Sequence, residues 1–201
     1  MMRAAEHDVM RTGMNMQADI IRRFHTALPQ VRGWIDQFLD AHADRARAVS
    51  TLGFTQLSAC FPRELLERAK VVSVDRVPFP PVDQFGLPEF APMQQMSFDG
   101  ITFKDTFFLQ QGRACEALHF HELVHVVQWS RLGVDNFLLA YGLGLLSSGY
   151  AQSALEQMAY TLQHGFELGT LPQGLVRVIE QATDAIWNQA APIVQGPYGG
   201  A

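Results

Sequence analysis

The stretch that decides the fold is His119-Phe120-His121-Glu122-Leu123-Val124-His125-Val126-Val127-Gln128-Trp129. It contains the pattern H-E-x-x-H, formed by His121, Glu122 and His125. Residues four apart lie on the same face of an α-helix, so the two imidazoles can be aimed at one point, with the glutamate beside it. Burying three polar side chains in an apolar helix is costly unless they bind something. The stretch therefore predicts a helix that holds a divalent metal ion, most simply Zn²⁺.

A third ligand has to come from elsewhere, because a catalytic zinc site usually has three protein ligands and a fourth position for water. The longer pattern H-E-x-x-H-x-x-G-x-x-H is excluded, since Gln128 and Arg131 stand where it has Gly and His. The glutamates that remain downstream are Glu156, Glu167 and Glu180. Glu156 lies in a well-formed helical segment, far enough along the chain for a hairpin back onto the first helix. We therefore predict Glu156 as the third ligand.

The expected chemistry is hydrolysis by a metal-activated water. Glu122 stands where a general base is needed to take the proton of that water. Tyr160 shares a helix face with Glu156, and Tyr160 or Tyr150 could hydrogen-bond an oxyanion. The alternative is that both tyrosines belong to the core with satisfied hydroxyls. His164 falls on roughly the same face as Glu156, where it could assist in the transition state or lie at the surface.

These residues resemble the gluzincin group of zinc metallopeptidases, which have H-E-x-x-H on one helix and a Glu, often as E-x-x-A, on a following helix. The matching residues are His121-Glu122-x-x-His125 and Glu156-Gln157-Met158-Ala159. The run from His121 to Gln128 is also similar to bacterial peptidase domains associated with contractile injection systems. The likeness covers about residues 100–165.

The resemblance implies a zincin-like α+β fold, with a small β-sheet packed on the H-E-x-x-H helix and mostly helical N- and C-terminal parts. It also implies Zn²⁺ held by His121, His125 and Glu156, and a peptide or protein substrate. The chain departs from the pattern at one position. Thermolysin-like members carry Asp four residues after the ligand Glu, where this chain has Tyr160. The hydrogen-bond partners of the two histidines are therefore left unassigned.

Two other interpretations remain open. The chain could be a catalytically silent, zincin-like metal-binding scaffold or an accessory module of an injection system. A complete H-E-x-x-H argues against a silent site, because a scaffold has no need of Glu122. The third interpretation is a helical protein with a chance motif, which predicts that no metal binds.

Composition limits the possible partners. The chain has 201 residues, of which 48% are hydrophobic, enough for a substantial core. A net charge of −5 without a basic patch argues against a nucleic-acid partner. The longest apolar run, residues 137–146, is too short to span a bilayer. The first twenty residues lack the apolar core of a signal peptide, and Cys60 and Cys115 are expected to be free thiols. Together these features predict a cytoplasmic protein, with non-classical export left open.

The predicted organisation is a helical N-terminal extension over residues 1–60, a zincin-like domain over 61–190 and a flexible tail over 191–201. The extension is expected to start with a loose tail, residues 1–13. A helix over 15–28 would end at Pro29, and a further helix would cover 31–59. A short helix over 61–69 and a strand over 71–77 follow. A proline-rich irregular connection then covers residues 77–92.

The second half is predicted to bring a strand directly ahead of the metal-binding helix. Residues 100–109 form one strand or a tight hairpin around Lys104-Asp105, where an extended peptide could pair with a strand edge. The metal-binding helix is expected from about residue 113 to near Gly133. Further helices are expected over residues 137–146, 152–166 and 175–188.

Overall fold

A computed structural model describes the backbone of residues 2–196 and the side chains of residues 18–196. The described backbone contains α-helices, β-strands and three short 3₁₀ turns. The helices are α1 (Met2–Asp40), α2 (Thr55–Cys60), α3 (Arg63–Arg68), α4 (Ala91–Gln94), α5 (Glu116–Ser148), α6 (Ala154–Leu168) and α7 (Leu175–Val194). The strands are β1 (Arg47–Ala48), β2 (Lys70–Val74), β3 (Gly100–Phe103) and β4 (Thr106–Gln110). The predicted mixed α+β class is confirmed.

The four strands form one small sheet in the order β1-β2-β4-β3. Strand β2 is parallel to β4, with Val72 opposite Phe108, and β1 is antiparallel to β2. Strands β3 and β4 form an antiparallel hairpin around Lys104-Asp105, the second of the two arrangements that the sequence left open. The pairing leaves β3 at the edge of the sheet.

The sheet lies between α1 and α5. Successive side chains of a strand point to opposite faces, so each strand can pack on both helices. Phe107 and Leu109 of β4 belong to a core cluster with Leu123 of α5. Phe108, between them, belongs to a second cluster with Ile35 of α1. Both faces of the sheet are therefore covered, and α5, which carries His121 and His125, packs directly on one of them.

Helix α5 bends sharply at Gly133, where φ is 72° and ψ is 174°. A positive φ is strained for residues with a side chain, so glycine suits this position. The bend divides the helix into a first arm, residues 116–132, and a second arm, residues 134–148. The predicted end of the metal-binding helix near Gly133 is confirmed. The second arm packs on α1, where Arg32 pairs with Asp135.

The predicted end of the first helix at Pro29 is wrong, because α1 continues through this proline to Asp40. The residues predicted as a loose tail, 2–13, are also helical in their backbone. A proline inside a helix costs about 3 kcal/mol. Burial of a large aliphatic side chain contributes about 1.5–3 kcal/mol. Leu28, Val31 and Ile35 are all buried around Pro29, so their packing outweighs the lost hydrogen bond.

The predicted helix over residues 31–59 is wrong beyond Asp40. The chain there forms 3₁₀ turns, the short strand β1 and helix α2. Residues 40–47 are mostly charged or polar and offer almost no apolar side chains to pack against a neighbouring layer. Pairing of Arg47 with Val71 of β2 satisfies the backbone in place of helical hydrogen bonds.

At the other end of the chain, α7 ends at Val194 and not at Asn188 as predicted. Ala190 and Val194 are buried, which favours continuation of the helix through Pro192. Residues 191–194 of the predicted tail thus belong to α7, and residues 197–201 lie outside the described residues. The division into an extension, a domain and a tail stays a prediction. Cys60 and Cys115 are both free.

None of the helices in the described part of the chain is long and apolar enough to cross a membrane.

Candidate metal centre

Three buried side chains from two helices meet at one point, as predicted: His121 and His125 of α5 and Glu156 of α6. The Nε2 atoms of the two histidines are 3.1 Å apart. The carboxylate reaches both rings, with Oε2 3.5 Å from Nε2 of His121 and Oε1 3.5 Å from Nε2 of His125. The three residues are only 2–5% exposed. This cluster could hold a metal ion.

A buried glutamine orients His125. Gln128 Nε2 donates to the carbonyl oxygen of Leu155 at 3.1 Å, which turns Gln128 Oε1 toward the ring. That oxygen lies 2.8 Å from Nδ1 of His125. Because an amide oxygen only accepts, Nδ1 is the protonated nitrogen and donates to it. The lone pair of Nε2 is then directed into the cluster, as a metal ligand requires.

His121 is oriented in the same way by a residue of α6. Its Nδ1 lies 3.1 Å from Oε1 of Gln163, whose Nε2 donates to Glu167 Oε1 at 3.3 Å. The hydrogen-bond partners of the two histidines, which sequence analysis left unassigned, are therefore two glutamines. Gln128 follows the motif by one helical turn, and Gln163 comes from the other helix.

The lone pairs of the two Nε2 atoms and the carboxylate of Glu156 therefore face one another. They repel one another unless a proton or a cation lies between them. Burial alone would raise the pKa of the Glu156 carboxyl, but the imidazoles of His125 and His121, 3.5 Å away, hold it well below its usual value. Burial alone would lower the pKa of His125, but the Glu156 carboxylate raises it to about 9. In the absence of a cation, these charges would favour a proton between the side chains at neutral pH, and a divalent cation would displace it.

The two oxygens of Glu156 have different environments. Oε1 accepts a hydrogen bond of 2.7 Å from the hydroxyl of Tyr141, on the second arm of α5. Burial raises the pKa of Tyr141 well above its usual value, so this hydroxyl stays a donor. Oε2 is buried without a hydrogen-bond partner. Unpartnered buried oxygens are rare and costly, so Oε2 fits the role of a metal ligand.

Glu122 lies next to the cluster and lines the same cavity as His125 and Glu156. Its Oε2 accepts a hydrogen bond of 2.7 Å from Thr102 on β3. Burial raises the pKa of Glu122, and the neighbouring histidines oppose this shift. A Cβ at Gly100 would come within 2.3 Å of Glu122 Oε1. The close approach of β3 to the helix therefore depends on glycine at position 100.

Three further residues that the sequence suggested for the site, Tyr160, Tyr150 and His164, lie at different distances from the cluster. Tyr160 is 42% exposed, and its ring lies 4.7 Å from that of His121, at the border of the cluster. Tyr150 is partly buried and lines the same cavity as Glu122. The structure does not bring His164 into the cluster, since its side chain is 72% exposed with Nδ1 4.0 Å from Glu167. The catalytic roles of Tyr160 and His164 stay predictions.

Sequence analysis did not single out Tyr141, Gln163 or Thr102. Tyr141 carries one weak signal, because it is a lone hydroxyl in a nearly apolar helical segment and such hydroxyls usually find a partner. Gln163 and Thr102 carry no such signal, since polar residues at helix and strand surfaces are common.

Replacement of Gln128 with leucine is expected to weaken metal binding about 10- to 100-fold, the usual effect of losing an outer partner of a ligand. The variant leaves Nδ1 of His125 and the carbonyl of Leu155 without their partner in a buried site. We expect the free energy of unfolding to fall by about 1–3 kcal/mol. Competition with a chromophoric chelator measures the first effect and urea denaturation the second. Gln111→Leu, at an exposed position, is the matched control. Equal metal affinity in both variants would contradict the orienting role.

The chain was compared with models of protein families, with curated proteins and with solved structures, and none of them matches it.

Proposed function

We propose that this chain is a zinc-dependent peptidase of the gluzincin type, with a zincin-like fold. The observation that carries the proposal is the buried meeting of two histidine nitrogens and an unpartnered carboxylate oxygen next to Glu122. Neither a structural ion pair nor a hydrophobic core requires a second buried carboxylate at this place. A hydrolytic metal site requires two carboxylates, one as a metal ligand and one as a general base.

The set of donors favours zinc among the divalent ions. Two imidazoles and one carboxylate are typical of catalytic zinc sites in metallopeptidases, which keep a further position open. Mg²⁺ and Ca²⁺ prefer sites made of oxygen atoms, so two histidines disfavour them. His121, His125 and Glu156 would hold the ion, and Gln128, Gln163 and Tyr141 would orient these three ligands.

The chain itself contributes the proton transfers. When bound, zinc lowers the pKa of water and polarises the scissile carbonyl. Glu122 takes the proton of the attacking water at its carboxylate and later gives it to the leaving amine. Thr102 restrains one of the two carboxylate oxygens.

We assign the alignment of the substrate to the edge strand β3, which is hydrogen-bonded to Glu122 and Trp129 of α5. Besides the Thr102 hydroxyl, the carbonyl of Thr102 accepts a hydrogen bond of 3.1 Å from Trp129 Nε1. A peptide that adds to this edge would extend along β3 and be held by main-chain hydrogen bonds. Tyr160, whose ring lies 4.7 Å from that of His121, is our candidate donor of a hydrogen bond to the oxyanion.

Two measurements on the purified protein test the proposal. Elemental analysis should find about one zinc per chain after dialysis against trace zinc, as expected for a site with one set of ligands. Incubation with a mixed peptide library should give new termini that disappear after treatment with a chelator and return when zinc is added. Zinc without cleavage would favour the silent scaffold, and the absence of any metal would favour a chance motif.

A further inference from the structure

The outer edge of β3, to which we assign the substrate, faces a cavity. All four residues of β3, Gly100–Phe103, line this cavity, together with Glu122 and Glu156. Successive side chains of a strand point to opposite faces, so only the edge of the strand can present four consecutive residues to one space. The cavity is therefore the space that an added peptide strand would have to enter.

This space is too small for a peptide. The cavity measures about 100 Å³, whereas an engineered cavity of about 150 Å³ holds a single benzene molecule. An added strand would lie about 4.8 Å from β3 and bring its own side chains. Glu122 and Glu156 are each only 2% exposed. Binding of a peptide along β3 therefore requires that one wall of the cavity move away.

One wall is built by residues 78–98, between β2 and β3, which we call the strap. The strap lines the cavity with apolar side chains, namely Phe79, Pro80, Val82, Leu87, Phe90 and Phe98. Every main-chain hydrogen bond described for the strap joins two of its own residues, as between Leu87 and Val82. The strap can therefore move without breaking main-chain hydrogen bonds to the sheet or to the long helices.

The strap is attached to α1 by one arginine. Arg23 forms an ion pair with Glu89 and donates a hydrogen bond of 3.1 Å to the carbonyl of Gly86. In the described part of the chain, the other side chain that hydrogen-bonds to the strap from outside is Arg76, which lies only two residues before it. Arg23 is therefore the polar link that joins the strap to a different element of the fold.

We propose that the strap closes over the metal centre, is latched to α1 by Arg23, and swings away from β3 to admit a peptide. This inference rests on the proposed peptidase function. The side chains of Arg23 and Glu89 are 34% and 26% exposed, so water can replace their contacts when the latch opens. The rings of Phe24 and Phe90, 5.5 Å apart, form the apolar contact that closes it again. Such lids control access to many active sites.

The first experiment locks the strap. Arg23→Cys and Glu89→Cys are combined in a protein whose free thiols are removed by Cys60→Ser and Cys115→Ser. A bis-methanethiosulfonate reagent then joins the two new thiols through reducible bonds. We expect the cross-link to slow peptide cleavage about tenfold or more while zinc stays bound, and reduction to restore the rate. Removal of zinc by a chelator, followed without substrate, should slow in the same reversible way.

The matched control locks an ion pair of the same kind elsewhere. Arg131 of α5 and Asp184 of α7 form an exposed ion pair with distances of 2.6 and 2.7 Å. Arg131→Cys with Asp184→Cys, cross-linked in the same background, should keep both the rate of cleavage and the rate of zinc removal. Equal losses in the two cross-linked proteins would come from the reagent and would overturn the inference.

The second experiment opens the latch and needs neither metal nor substrate. Hydrogen exchange of main-chain amides is compared in the parent protein, Arg23→Gln and Arg131→Gln. We expect residues 78–103, the strap and the edge that it covers, to exchange about two- to fivefold faster in Arg23→Gln, the usual effect of an exposed ion pair. Exchange of the same residues should be unchanged in Arg131→Gln.

Unchanged cleavage and unchanged zinc removal in the locked protein would overturn the inference and leave the proposed function intact. Equal hydrogen exchange in Arg23→Gln and the parent would show that Arg23 is not the latch. Faster exchange in Arg23→Gln, with no zinc and no cleavage in any variant, would overturn the proposed function and with it the role of the strap in admitting a peptide.

Discussion

Replacement of Glu122 with glutamine is expected to reduce peptide cleavage about 10²- to 10⁴-fold, the usual contribution of a general base, while zinc stays bound. Glutamine has the same shape and can still accept the hydrogen bond from Thr102, but it cannot take a proton from water. The fold should be preserved, because the change replaces a buried carboxylate by a neutral group. The measurement compares kcat/KM and zinc content of the two proteins at the same pH.

The matched control is Glu64→Gln, on the exposed surface of α3. It makes the same chemical change away from the cluster and should leave both kcat/KM and zinc content unchanged. Full activity of Glu122→Gln would rule out the assigned base. Loss of zinc in the same variant would show that this carboxylate is a ligand, which contradicts the division of roles between Glu122 and Glu156.

Replacement of Glu156 with alanine is expected to weaken zinc binding more than about 100-fold, beyond the effect of losing an outer partner of a ligand. The change removes the only anion of the predicted ligand set, and it leaves the two imidazoles without their acidic partner. Zinc affinity is measured by competition with a chromophoric chelator. The rise in unfolding temperature that zinc produces gives a second readout, because a ligand of the native state stabilises it.

Glu180→Ala is the control for this prediction, since Glu180 is another of the downstream glutamates that the sequence offers as a third ligand. It lies on α7, away from the cluster, and should bind zinc like the parent protein. Zinc binding that survives in Glu156→Ala and is lost in Glu180→Ala would contradict the assigned set of ligands. The pair of variants therefore tests the choice that the sequence left open.

The two largest predictions also separate the peptidase from a silent scaffold. A scaffold would lose zinc in Glu156→Ala as a peptidase does, because both interpretations share the metal. A scaffold would show no cleavage to lose in Glu122→Gln. The Glu122 variant thus tests catalysis, and the Glu156 variant tests the metal site.

The most reliable predictions depended on geometry between near neighbours in the chain. The spacing of His121 and His125 requires only that the segment be helical, and the bend at Gly133 requires only that glycine tolerate a positive φ. A short polar turn between two apolar runs likewise allowed the hairpin between β3 and β4, although a single strand was the other possibility. Glu156 could be chosen because few glutamates remained downstream.

The errors in the N-terminal half have a tertiary cause. Local rules stop a helix at Pro29 and permit one over residues 41–59, and both expectations fail. The buried side chains around Pro29 gain more from packing on the sheet and on α5 than the proline costs. The polar residues after Asp40 have no apolar face to pack, so β1 pairs with β2 there.

By itself, the sequence determined the helix that carries His121, Glu122 and His125, and the mixed α+β class with one small sheet. Only the tertiary structure decided that Gln163 and Tyr141 contact His121 and Glu156, and that α1 and the proline-rich connection form part of the wall of a cavity beside them. The physical reason is distance along the chain. Covalent geometry limits where residues four apart can point. Contacts between distant segments arise from the packing of whole helices and sheets, and no short pattern of residues encodes them.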